Sequence, residues 1–178
     1  MDLGLKGLNA VVTGGTKGIG RAIVETLAAE GVNVAFCARK SDEVQSACAD
    51  LAKYGVKIVG GVADVGDGEA LKAWTTSAAK ALGGIDIVVA NVSALAVAPD
   101  EAAWKKGFDV DLMGSVRLVD AAMPSLEQSK HPSIVTISSV SGREIDFASG
   151  PYGAFKAALV HYTQGLAFHL AGKGIRAN

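Results

Sequence analysis

The sequence predicts an α/β fold of the doubly wound kind, a parallel β-sheet covered by helices on both faces. Three observations carry that prediction. Short, nearly all-apolar runs alternate with longer Ala-rich segments of helical period. Within the runs apolar residues are continuous, as expected for strands buried on both faces. A glycine-rich turn lies between the first run and the first helical segment.

The elements follow in order. "LNAVVTG" reads as the first strand and "GIGRAIVETLAAEG" as the first helix, closed by Gly31. "NVAFCAR" is the second strand, and "SDEVQSACADLAKYG" is a helix with Ser41 as N-cap and a closing glycine. "VKIVGGVADV" is the third strand, "DGEALKAWTTSAAKALGG" the third helix and "IDIVVANVS" the fourth strand. A long fourth helix is expected from about Asp100 to Gln128, bent or ended by Pro124. "SIVTISSVSG" is the fifth strand, and a fifth helix carrying "SGPYGAFKAALVHY" runs to about Gly172. Alternation of this kind implies right-handed crossovers.

Bulk properties bound the possibilities. The 178 residues suit one domain spanning 1–178, and 49% hydrophobic with 20% charged residues is a globular composition. A formal net charge of −1 points to neither nucleic acid nor an acidic membrane surface. Cys37 and Cys48 lack metal-ligand spacing and read as free thiols, so no metal site is expected. The N-terminus has no signal-peptide pattern. The apolar stretch "IDIVVANVSALAVAP" is interrupted by Asp86, Asn91 and Ser93 and is too short and polar to span a bilayer. The expectation is a cytoplasmic protein.

The turn "VVTGGTKGIGRAI" is the first candidate site. Gly14, Gly18 and Gly20, with Thr16, Lys17 and Ile19 among them, let the backbone turn tightly and approach a pyrophosphate. That anion then faces the N-terminus of the following helix. The position, after a strand and opening a helix, is what dinucleotide binding requires. A second candidate is Tyr152 with Lys156, four residues apart on one helical face. An ammonium near a phenol favours the phenolate, which suits the Tyr for proton transfer to or from a carbonyl oxygen. Alone, such a pair is a frequent accident on amphipathic helices. Ser139, at the expected end of the fifth strand, lies at the sheet edge where doubly wound folds bind ligands. Its neighbour Ser138 is turned to the opposite face by the strand period.

The glycine turn has the spacing TGxxxGxG. Together with "ADV" at 63–65, "VVAN" at 88–91, "ISSVSG" at 137–142, "YGAFK" at 152–156 and "GIRAN" at 174–178, it resembles the short-chain dehydrogenase/reductase family along the whole chain. The resemblance implies a Rossmann-type sheet in the order 3-2-1-4-5-6. It also implies hydride transfer between a nicotinamide and a carbonyl or secondary alcohol, on a 3-oxoacyl thioester, a sugar or polyol, or a xenobiotic ketone. The implied catalytic residues are Ser139, Tyr152 and Lys156, with Tyr152 and Lys156 also touching the cofactor. Asp64 and Val65 would flank the adenine, and Asn91 would sit beside the cofactor. At the end of the second strand "CARKS" holds Arg39 and Lys40 and no carboxylate, and Lys17 adds a further cation. An acidic residue there would take the ribose 2′-OH of NAD, whereas Arg39 suits a 2′-phosphate. NADP(H) is therefore favoured, with NAD(H) left open.

Three departures from the family stand out. Asp111, in "DVDLMGS", occupies the position of an Asn that supports a water-mediated proton relay to the Lys, and it joins the candidate catalytic set. Asn91-Val92-Ser93 replaces Asn-Ala-Gly, so Ser93 either reaches ribose or substrate or satisfies a loop amide. Relatives lead on from "GKGIRAN" through the sixth strand, a Pro-Gly turn, a substrate-covering segment and a final strand. The chain is therefore expected to be incomplete relative to the family. The loop "GREIDFASGP" should border a small-molecule carbonyl or alcohol substrate. By resemblance the fourth and fifth helices pair across a two-fold axis, giving a homodimer or homotetramer. The competing reading is a non-catalytic NADP(H)-binding sensor or scaffold.

Overall fold

A computed structural model of the chain describes residues 3–178. Its six strands are β1 (Asn9–Thr13), β2 (Asn33–Ala38), β3 (Ile58–Val62), β4 (Ile87–Ala90), β5 (Ser133–Thr136) and β6 (Arg176–Ala177). They form one sheet in the order β3-β2-β1-β4-β5-β6, and every neighbouring pair is parallel. The helices are α1 (Gly18–Ala29), α2 (Ser41–Leu51), α3 (Gly68–Leu82), α4 (Glu101–Gly107), α5 (Gly114–Leu126) and α6 (Pro151–Leu170). The predicted doubly wound architecture and strand order are those observed.

The strand period sorts the core into two layers. Val11, Ala35, Cys37, Val88 and Ala90 join one cluster with Leu71, Trp74 and Ala78 of α3 and Leu118, Val119, Ala122 and Leu126 of α5. Their strand neighbours Ala10, Val12, Val34, Phe36, Ile87 and Val89 join the other, with Val24 and Ala28 of α1 and Val44, Ala47 and Leu51 of α2. Both faces are thus covered, which explains why the strands read as unbroken apolar runs.

Helix ends follow local chemistry. Asp67 caps α3 by accepting from the Glu69 and Ala70 amides, and Gly83 closes it with φ +89°. Gly31 follows the end of α1 with φ +82°. Ser41 does not cap α2: Lys40 holds the cap position in extended conformation, and the Ser41 hydroxyl accepts instead from Gln45 Nε2 at 3.3 Å.

Two segments differ from the sequence expectation. The long fourth helix is two α-helices joined by a wide π-type turn over Phe108–Met113. Pro124 sits inside the last turn of α5, and the helix ends two residues later at Leu126. The fifth strand stops at Thr136, so Ser139 lies beyond the strand and caps a short 3₁₀ turn over Val140–Gly142.

Cys37 is fully buried, and burial pushes its thiol up to about 12 from an ordinary value near 9. The folded protein keeps this proton to higher pH than the unfolded chain does. The resulting stability is complete below about pH 9 and is lost as pH rises toward 12. A thiol reagent at pH 8 is expected to modify half-buried Cys48 readily and Cys37 only at the rate of unfolding. Mass spectrometry of timed samples checks this, and equal rates at both sites would contradict it.

Candidate functional site

The site is built along the C-terminal edge of the sheet. The Cys37 carbonyl at the end of β2 accepts from the Gly14 and Gly15 amides at 2.9 and 3.2 Å, which fixes the glycine turn to the sheet. Asn91, just past β4, donates from its amide nitrogen to Thr13 Oγ1 and from Nδ2 to the Thr13 carbonyl, each at 3.0 Å. Gly20 lies against this clamp. A Cβ there would stand 2.1 Å from the Gly14 carbonyl oxygen and 2.5 Å from Asn91 Nδ2, so only glycine fits.

A cleft of about 520 Å³ opens beside the turn. Gly14, Thr16, Lys17, Arg39, Asp64, Val65 and Asn91 line it, seven of the residues singled out from sequence. Gly18, Ile19 and Gly20 do not, and Ile19 is 64% exposed. Asp64 accepts from the Gly66 amide at 2.9 Å and shapes the turn after β3, while the cap of α3 belongs to Asp67. Ser93 lines the cleft and also accepts from the Leu95 amide at 2.9 Å, so it does satisfy a loop amide.

The cationic end of the cleft holds a residue that sequence reasoning missed. Glu43, in the first turn of α2, lies 3.0 Å from Lys40 Nζ and 3.8 Å from Lys17 Nζ, and accepts from Thr16 Oγ1 at 3.2 Å. The hydrogen bond from Lys40 holds the Glu43 carboxyl below the usual range, and Glu43 in turn holds the Lys40 ammonium above its own. Arg39 is exposed and forms no ion pair among the described residues. Lys106 and Asp109 also reach the cleft, from the end of α4 and the wide turn. Their signal was hidden because the α4–α5 stretch reads as one regular helix.

The second group of candidates gathers on α6. Lys156 is buried, with Nζ 5.7 Å from the centre of the Tyr152 ring and donating to the Ile137 carbonyl at 2.8 Å. Asp111, 1% exposed in the wide turn, places Oδ1 3.8 Å from Lys156 Nζ. Its Oδ2 accepts from the Ala94 amide at 2.8 Å, while Oδ1 has no hydrogen-bond partner. Burial pulls the Lys156 ammonium below its ordinary value, and the Asp111 carboxylate opposes that pull. Ala94 lines the cleft, and its amide's contact with Asp111 links the cleft wall to Lys156 beside Tyr152.

Ser139 is positioned by its own turn. Its Oγ accepts from the Ser141 amide and donates to Ser141 Oγ, both at 3.2 Å, and Ser141 Oγ donates to Asp146 Oδ2 at 2.7 Å. Ser138 is committed elsewhere, donating to the Lys156 carbonyl at 2.9 Å. The turn lies directly on α6: a Cβ on Gly142 would stand 2.7 Å from the Lys156 carbonyl carbon. Ser139, Tyr152 and Lys156 are not among the residues lining the cleft.

The comparisons with known proteins agree with this layout. A family model for the short chain dehydrogenases matches residues 8–178. An isoepoxydon dehydrogenase of Penicillium expansum is 40% identical over 183 residues, which cover all of this chain and 70% of that protein. The structure of L-sorbose reductase from Gluconobacter frateurii, complexed with NADPH and L-sorbose, superposes with a TM-score of 0.94. It is 29% identical, and the match covers 100% of this chain and 70% of that one. A short chain dehydrogenase from Burkholderia cenocepacia in complex with NADP gives a TM-score of 0.91 at 32% identity, over 98% of this chain and 73% of that one. The chain belongs to the short chain dehydrogenase family, a family of oxidoreductases acting on CH–OH groups.

The Gly20 contact yields a direct expectation. Gly20→Ala forces the new methyl into the Gly14 carbonyl and should cost about 1–3 kcal/mol of stability. Urea unfolding followed by circular dichroism measures it, and an unchanged midpoint would show that the turn relaxes freely.

Proposed function

We propose that residues 1–178 form one NAD(P)-binding domain of an NADP(H)-dependent oxidoreductase that interconverts a carbonyl and a secondary alcohol. The observation that carries the reading is the buried Lys156 ammonium beside the Tyr152 ring, at the edge of a sheet whose glycine turn opens into a cation-lined cleft. The residues fit the cofactor. Gly14 in the glycine turn would hold its pyrophosphate end, Asp64 and Val65 its adenine, and Arg39 with Thr16 and Lys17 its 2′-phosphate. Related structures bound to NADP and NADPH support the same choice. Among carbonyl substrates the sugar or polyol class is favoured, in keeping with L-sorbose in the reductase complex.

When bound, the cofactor supplies or accepts the hydride. In the reducing direction Tyr152 gives its phenolic proton to the carbonyl oxygen, and Ser139 holds that oxygen by a hydrogen bond. The Lys156 ammonium stabilises the phenolate left behind and orients the ribose. Asp111 supports Lys156 as its buried counter-charge. The loop at 142–151, with Ile145 and Phe147 almost fully open, would border the substrate. Trp104 and Phe108 are each partly exposed and stack edge-on against Phe155 of α6. This aromatic surface supports a homodimer or homotetramer through α4–α5 and α6. The same reading places the protein in the cytoplasm. No helix among the described residues is long and apolar enough to cross a membrane.

Tyr152→Phe is expected to lower NADPH oxidation with a carbonyl panel by about 10²–10⁴-fold. Full turnover by the Phe variant would end this mechanism and favour the sensor or scaffold reading. Asp111→Asn removes the contribution that opposes burial at Lys156, so Lys156 loses its proton at lower pH. The alkaline limb of the kcat/KM profile should move down accordingly. An unchanged profile would remove Asp111 from the proton-transfer machinery.

A further inference from the structure

We propose that Glu43 is a specificity-determining residue: its carboxylate occupies the anion position of the 2′-phosphate pocket, competes with NADP(H) for that position, and leaves the site open to NAD(H). The inference rests on the cofactor reading above. One Glu43 oxygen meets Lys40 Nζ at 3.0 Å and Lys17 Nζ at 3.8 Å, and the other accepts from Thr16 Oγ1 at 3.2 Å. These donors come from two elements, the glycine turn and the β2–α2 connection, and all of them line the cleft together with Glu43 and Arg39.

A phosphate monoester would seek the same donors. It carries about −1.5 to −2 charges near neutral pH. Two anions cannot share the two ammonium groups without strong repulsion, so a 2′-phosphate must turn Glu43 out into solvent. The side chain is a quarter exposed at the mouth of the cleft, so turning it out crosses no part of the core. Arg39, without an ion-pair partner among the described residues, remains to receive the incoming phosphate. With a free 2′-hydroxyl no displacement is needed, and the Glu43 carboxylate can accept that hydroxyl where it stands. A basic cluster that reads as selective for NADP(H) thus carries its own competitor.

The test uses binding rather than turnover. Calorimetric titration of 2′,5′-ADP and 5′-AMP isolates the phosphate from the nicotinamide. Glu43→Gln should raise the ratio of 2′,5′-ADP to 5′-AMP affinity about threefold to fivefold, the scale of an exposed ion pair. The gain should vanish when Lys40→Met is added, because the competition is for that ammonium. An unchanged or lowered ratio in Glu43→Gln would overturn the proposal and leave Glu43 as a scaffold for the lysines. Arg39→Ala separates the two readings. If it abolishes the preference for 2′,5′-ADP while Glu43→Gln changes nothing, only the role of Glu43 fails. If wild type and every variant bind both nucleotides equally, or neither, the NADP(H) reading and this inference fail together.

Discussion

A parallel sheet buried on both faces has no room for polar side chains along its strands. The central strands β1, β2 and β4 obey that constraint, with Val11, Ala35 and Val88 sealed on one side and Val12, Phe36 and Val89 on the other. Polar groups are therefore forced to the strand ends. Thr13 at the end of β1 meets Asn91 just past β4, and Ser138 and Ser139 follow β5. The chemistry collects at one edge because the core excludes it elsewhere, which is also where doubly wound folds place their ligands.

Lys156 illustrates what that edge costs and what it provides. A buried ammonium loses hydration and must be held by other groups. The Ile137 carbonyl and the Asp111 carboxylate supply them, one from the segment after β5 and the other from the wide turn between α4 and α5. The same carboxylate receives the Ala94 amide. Three parts of the chain far apart in sequence are thereby tied to α6 near Tyr152. A regular α-helix would not widen at Asp111, and π-type turns of this kind recur at functional sites.

Much of this was legible in the sequence because local and global preferences coincide. The third helix shows it best: it is read over "DGEALKAWTTSAAKALGG", and the structure bounds it within that stretch, between Asp67 and Gly83. The strand order and the lining of the cleft by Gly14, Lys17, Arg39 and Asn91 were likewise accessible from spacing and family resemblance. The π-type turn was not, because its residues fit a helical period on either side and only hydrogen bonding distinguishes them. Strand β5 was read too long because "SIVTISS" remains β-prone after Thr136, although only two residues of β6 pair beside it. Glu43 was overlooked for a different reason. An acidic residue in a first helical turn has a sufficient local explanation in the helix dipole, and its lysine partners become evident only when the glycine turn folds back.

The contact between Gly142 and the backbone of α6 has a consequence for diversification. The serine turn rests on main-chain atoms of Lys156 and Ala157, not on their side chains. Its height above the helix is consequently set by peptide geometry, which mutation leaves nearly untouched. The exposed residues Arg143, Glu144, Ile145 and Phe147 project beyond that fixed joint, while Asp146 is held to it by Ser141. A lineage could redraw this rim to admit new ligands while the interval between hydroxyl and phenol stays constant, so that specificity evolves on a frame of conserved dimensions.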